Sequence, residues 1–437
     1  MAAPEPAPRS YASGARILSI GIAATGVLTF AFFSIASHVL SEVDAKRIDL
    51  LWSVMFVIIS VIYRPIEQLL SRTIADRRAR GLPGQAMRVP MTIQTGFAVV
   101  FLAVALPLHD TVVKGVFDGS AALYWVLVVG TLAYAASYFA RGWLAGHQFF
   151  GLYGGLVLME AVSRVAFALA VAVGIAGGQT AVALGIAAAP FVSLFVVPAA
   201  FARNRSRTSV SAPPDAADPA RLSLRGGTGF AVAVSGIQLA EQTLLNAAVL
   251  TVAATSADPN LAGIVFNVLL ISRAPLQLFQ AIQTSLLPHL AGLEAGGAGQ
   301  AGFARTIRIT LLAITGFSGA VAVGMLAIGP FAMTHLFGQH ANYPRLGLAL
   351  IACGMGLHLA SGALNQAALA RGRARAAAAA WLGAAVIFVA WMVAPVVGDQ
   401  LLRVELGYFG ATGLLALGLW LIYRAGAPAP MAAAIAA

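Results

Sequence analysis

Residues 306–328 read TIRITLLAITGFSGAVAVGMLAI, and after Arg308 no Asp, Glu, Lys or Arg follows until Arg345. A helix rises about 1.5 Å per residue, so about 20 such residues cover the roughly 30 Å of a bilayer's hydrocarbon core. The rest of the chain is of the same kind. Of its 437 residues 59% are hydrophobic and only 10% charged, with a mean hydropathy of +0.86, whereas soluble domains carry about 25% charged residues. That composition excludes a soluble globular protein and leaves no room for a large extramembrane catalytic domain.

Working outward from 306–328, apolar runs between charged or Gly/Pro-rich breaks predict twelve crossings. Six fall before the longest polar stretch, at 14–40, 48–70, 91–108, 121–140, 152–173 and 181–202. Six follow it, at 228–251, 261–290, 306–328, 346–369, 376–397 and 406–423. The expected fold class is an all-α polytopic membrane protein with 12 transmembrane helices, arranged as two six-helix bundles. An even number of crossings per half gives both halves the same orientation, so the axis relating them is a pseudo-twofold along the membrane normal. The domain boundaries expected are an N-terminal lobe at 1–205, a cytoplasmic linker at 206–225, a C-terminal lobe at 226–424 and a low-complexity, disordered tail at 425–437. The first crossing is too long for a signal-peptide core and is expected to be retained.

Charge supplies the orientation. The formal net charge is +11, and 25 of the 27 basic residues are arginine. The loops fall into two alternating sets, with nineteen basic residues in the set that includes both termini and five in the other. Basic residues concentrate in cytoplasmic loops, which places both termini in the cytoplasm of a bacterial inner (cytoplasmic) membrane. Arg141 counts among the loop arginines in this reading. Such a surface contacts anionic membrane lipids rather than nucleic acid.

The catalytic inventory is nearly empty. The only lysines are Lys46 and Lys114 and no Gly-Lys dipeptide occurs, so a P-loop is excluded. There is no HExxH, the seven histidines are scattered, and Cys353 is the single cysteine, which leaves no metal-ligand spacing. Asp110 and Asp118 read as solvated loop charges. No catalytic residue, metal site or cofactor is expected, and the chain is not expected to be an enzyme.

Ionisable groups within crossings are costly unless paired or hydrated, and so point to function. Arg273 is followed by Gln277, Gln280 and Thr284 at spacings of 4, 7 and 11, one narrow face of the eighth crossing. Gln238, Glu241, Gln242 and Asn246 form a polar arc on the seventh, where Glu241 can bind a coupling cation or proton, or pair with Arg273. Arg64 with Glu67, and Glu160 with Arg164, have spacings that allow intrahelical ion pairs. His358, Ser361, Asn365 and Gln366 read as a packing seam on the tenth crossing.

The halves also carry an echo of each other. RPIEQLL at 64–70 matches RAPLQLF at 273–279 with one inserted residue, and ARG at 140–142 matches ARG at 370–372. Pro65 and Pro275 are expected to kink the second helix of each half.

Twelve crossings in two like-oriented halves, Arg64-Pro65 in the second crossing, and Leu286-Leu287-Pro288-His289-Leu290 ending the eighth resemble the multidrug/oligosaccharidyl-lipid/polysaccharide exporter superfamily. Within it, the chain is most similar to polysaccharide-unit flippases, over about residues 16–424. The resemblance implies a transporter without enzymatic activity, in which helices 1, 2, 7 and 8 line a central cavity. Its cargo would be a polyprenyl-(pyro)phosphate-linked sugar or oligosaccharide, flipped by alternating access for cell-surface polysaccharide biosynthesis. Arg64 and Arg273, with Arg16 at the inner mouth of the first helix, would hold the phosphate, while Gln277, Gln280, Gln238 and Gln242 would line the substrate site. Glu241 would couple transport to H+, Na+ or membrane potential, and a glycan polymerase or glycosyltransferase is the partner expected. Lipid II flippases of the superfamily usually have fourteen helices. Drug extruders often carry an acid in the first helix, and 14–40 contains none, but an acid in the seventh occurs in some of them. A cation-coupled multidrug exporter is therefore the alternative.

Overall fold

The computed structural model describes residues 11–80, 87–196, 198, 223–256, 261–295, 300–337 and 344–425. Most of the expected linker and nearly all of the expected tail lie outside these residues. Helix is the only regular secondary structure among the described residues, and each of the twelve expected crossings falls on it. Nine of the helical stretches there are long and apolar enough to cross a membrane. The chain is a multi-pass membrane protein.

It divides into two compact units, residues 1–231 and 232–437. The N-terminal unit contains α1 (Tyr11–Val39), α2 (Glu42–Ile62), α3 (Arg64–Ala79), α4 (Arg88–Ala105), α5 (His109–Gly115), α6 (Ala121–Gly146), α7 (Phe150–Ala172) and α8 (Gly178–Ser193), then a 3-10 turn at Leu194–Val196. The long α9 (Leu224–Thr255) straddles the boundary. The C-terminal unit continues with α10 (Leu261–Ala295), α11 (Gln300–Phe337), α12 (Arg345–Ala370), α13 (Ala374–Val393) and α14 (Gln400–Arg424).

Helix starts follow local chemistry. Ser41 and Ser120 cap α2 and α6 by accepting the amides of Asp44 and Leu123, and Asp399 caps α14 by accepting those of Leu401 and Leu402, which satisfies donors that the first turn leaves free. At the other end of α14, Arg371 and Arg373 donate to the carbonyls of Tyr423 and Ile422, where a helix terminus favours positive charge.

In the N-terminal unit α7 packs on α1 and α8, while α6 packs on α3 and α8. In the C-terminal unit α12 is the central helix, flanked by α10, α11 and α14, and α13 closes on α14. The second crossing breaks as expected. α2 ends at Ile62 and α3 starts at Arg64 with Pro65 in its first turn, because proline cannot donate to the preceding turn.

In the C-terminal half the equivalent helix shows no such break. α10 runs unbroken through both Pro275 and Pro288 to Ala295, so the Leu286–Leu290 motif does not end the helix. Neighbouring helical turns hold the segment together where one hydrogen bond is missing. The paired ARG motifs also part company. Arg141 and Gly142 lie inside α6, while Arg371 and Gly372 lie past the end of α12, with Gly372 at a φ of 73°.

Asp118 is a loop charge as expected, whereas Asp110 lies in the first turn of the short helix α5. Asp118 pairs with Arg47 at 3.3 Å. Asp110 sits 2.7 Å from the His109 Nδ1, and that hydrogen bond, with the charges of His109 and Lys114, holds its carboxyl below the usual range.

Candidate functional site

Each unit encloses polar side chains in an otherwise apolar helical packing. In the N-terminal unit they follow one face of α6, at Thr131, Tyr134, Ser137 or Tyr138, and Arg141, a helical spacing that stacks them above one another. Opposite stand Glu160 and Arg164 on α7. Arg141 Nη2 donates to Glu160 Oε2 at 2.5 Å and Ser137 Oγ to Glu160 Oε1 at 2.5 Å, with Glu160 only 3% exposed. The Arg141 guanidinium lies 4.4 Å over the Tyr138 ring. A third helix joins through Glu67, buried in the first turn of α3, which accepts from the Tyr153 hydroxyl of α7 at 2.7 Å.

Arg164 is the odd member. The sequence pairs it with Glu160, four residues away, but both Glu160 oxygens are engaged by donors from α6. Arg164, 3% exposed, instead donates to the Tyr134 hydroxyl at 3.2 Å and the Thr29 hydroxyl at 3.4 Å and stacks 4.7 Å over Trp52. The expected intrahelical pair is replaced by a cross-helix one because a buried carboxylate needs all of its acceptor sites filled. Arg141 is likewise no loop arginine. It is inside a membrane helix, and its charge is matched within the unit.

In the C-terminal unit the polar groups gather on α9, α12, α13 and α14. Glu241 is 8% exposed and Gln238, one turn before it, is buried. The Glu241 carboxylate is close enough to act electrostatically on the ring of His358. His358 Nδ1 lies 3.1 Å from the Tyr408 hydroxyl, and its Nε2 is buried with no hydrogen-bond partner. Further along α12, Asn365 accepts from the Trp381 indole at 3.2 Å. Among the described residues no Lys or Arg pairs with Glu241. The seam expected on the tenth crossing is observed, with His358, Ser361, Asn365 and Gln366 all buried.

No protein-family model matches the sequence, and no curated protein matches it. Solved structures do. The Vibrio cholerae MATE transporter VcmN, as a point mutant, superposes with a TM-score of 0.75 at 13% identity over 95% of this chain and 97% of that one. The chain has the fold of the MATE transporters. The MATE transporter ClbM in complex with Rb+ matches with a TM-score of 0.70 at 16% identity, over 95% of each chain. A multidrug resistance MATE transporter of the MOP superfamily in its outward-facing conformation matches at 0.72 and 12%, over 95% of this chain and 94% of that one.

On this MATE fold the expected site residues distribute unevenly. Glu241 is brought near His358, and Gln238 lies buried one turn before it on α9. Gln242 is held within its own helix, where its side-chain oxygen accepts from Asn246 at 3.3 Å. Arg64 starts α3 and acts electrostatically on Glu67 and Tyr138, which ties it to the buried network of the N-terminal unit. Arg273, Gln277 and Gln280 lie along α10 and Arg16 on α1, with their side chains outside the described ones. The sequence reading misses the Arg141–Glu160–Ser137 centre and the Glu67–Tyr153 bond. One signal for them exists. Gly142 and Gly146 are four apart on α6, the small-residue spacing that lets helices approach closely in membranes.

Proposed function

We propose that the chain is a membrane transporter working by alternating access, and that it exports amphiphilic compounds in exchange for a cation moving down its gradient. The observation that carries this reading is Glu241, a carboxylate buried within α9 and close enough to His358 to act electrostatically on its ring. An intramembrane acid that meets no basic partner among the described residues points to an ion or proton pathway, and Gln238 stands one turn away on the same helix. The solved relatives in fold support the same class, since one is a multidrug resistance transporter and another holds a monovalent cation.

The test is efflux of a cationic dye from proteoliposomes under an imposed proton or sodium gradient. Glu241→Gln keeps the shape and removes the charge, so gradient-driven efflux is expected to fall to that of empty liposomes, while Glu241→Asp retains part of it. Undiminished efflux in Glu241→Gln would remove the basis for the coupling role.

A second reading, flipping of a polyprenyl-(pyro)phosphate-linked glycan, is supported by the matched sequence positions of Arg64 and Arg273. The planar fork of arginine donates paired hydrogen bonds that suit phosphate. It predicts that native mass spectrometry of the purified protein finds a bound glycolipid that Arg273→Ala loses. Its absence from both proteins, together with gradient-driven dye efflux, would favour the exporter.

A further inference from the structure

A second carboxyl in the C-terminal unit is buried, and no ion pair among the described residues neutralises it. Glu405, on the second turn of α14, is 1% exposed, and its Oε1 has no hydrogen-bond partner. It occupies a notch in α12. At Gly347 a side chain would have to start in the space filled by the Glu405 carboxyl group, so the glycine is what allows α12 and the acid to meet.

Among the described side chains, the charged groups around it are turned elsewhere. Arg403, two residues before Glu405, donates to the backbone carbonyls of Val397 and Met392. Arg345, two residues before Gly347 on α12, donates to the carbonyls of Leu326 and Ala327. Asp399 caps its own helix and is of the same sign. α13 has no ionisable residue after Arg375, and α10 has none before Arg273. His335 is on α11, which packs on α12.

An ionised carboxylate with no cation and no donor is among the most costly groups to bury, whereas its protonated form is neutral. Among the described residues no cluster of three His, Cys, Asp or Glu side chains stands here to hold a metal ion, and Asp399 is committed to its cap. We propose that Glu405 is a proton-binding site of the C-terminal unit, separate from Glu241. Its carboxyl holds the proton while α14 is seated on the Gly347 notch and releases it when α12 and α14 part. The site stands on its own packing and does not depend on which cargo the chain carries.

Infrared spectroscopy of the full-length protein in detergent tests this. At neutral pH the wild type is expected to show the carbonyl stretch of a protonated carboxyl, above the amide I band, which Glu405→Gln lacks. Thermal unfolding is the second measurement. Because the folded state holds a proton that the unfolded chain gives up, stability should fall as pH rises from mildly acidic to mildly alkaline, and Glu405→Gln should flatten that fall. Glu405→Gln mimics the protonated form and should fold. A variant that fails to fold, or spectra with no difference band between the two proteins, would overturn the proposal.

Discussion

Replacing Arg141 with Met is expected to cost about 3–5 kcal/mol of stability, because it strands a buried charge rather than merely deleting a contact. Glu160 is almost fully buried, and among the described residues its Oε2 accepts from Arg141 alone and its Oε1 from Ser137 alone. Met fills much of the arginine's volume and keeps its packing on the Tyr138 ring, so the loss reports on charge and not on a cavity. Set against a typical total of about 5–15 kcal/mol, the single variant should unfold at markedly lower temperature in detergent, or fail to accumulate. The double variant Arg141→Met/Glu160→Gln removes both charges and leaves an amide oxygen for Ser137. It is expected to recover most of the loss, which a double-mutant cycle would read as a coupling between the two sites. A single variant as stable as the wild type would mean that Glu160 is not held as an anion by Arg141.

The membrane class and the positions of the crossings are legible because length and hydropathy are local properties of the chain. Each of the twelve apolar runs lies on a helix, and the break before Pro65 follows from proline's missing donor. The buried ion pair is hidden by the same procedure. A charged residue ends an apolar run, so Arg141 reads as a loop residue, although α6 continues to Gly146 and its partner Glu160 is 19 residues further along. Arg403 and Glu405 are hidden in the same way, as the apparent edge of a crossing that in fact starts at Gln400. Spacing on one helix suggests that Glu160 meets Arg164. Spacing cannot weigh a neighbouring helix, and α6 brings better donors to the same carboxylate. Conversely, Glu241 and the seam on α12 are legible, because a polar residue deep inside an apolar run needs no partner helix to be noticed.

Gly142→Leu is expected to be the second severe change, by separating α3 from α6. A Cβ at Gly142 would lie 2.8 Å from the Glu67 carbonyl oxygen and 2.9 Å from the Glu67 Cα, and one at Gly146 would lie 2.7 Å from the Ile74 Cβ and 3.0 Å from the Ser71 carbonyl oxygen. These neighbours are backbone or stiff side-chain atoms, so no rotamer change relieves them. Overpacking typically costs about 1–3 kcal/mol, and a whole leucine side chain against backbone should reach or exceed the upper end. The displaced element is the one that carries Glu67, so its 2.7 Å bond to Tyr153 should be lost as well. Gly142→Ala asks for less room and should fall between Gly142→Leu and the wild type. Gly155 on α7 supplies the contrast, since a Cβ there meets nothing within 4 Å. There, replacing glycine with alanine inside a helix should stabilise by up to about 1 kcal/mol. Melting temperatures in detergent should therefore rank Gly155→Ala at or above the wild type, then Gly142→Ala, then Gly142→Leu. A Gly142→Leu protein melting with the wild type would mean that α3 and α6 do not approach at this point, and the Glu67–Tyr153 contact would then need another explanation.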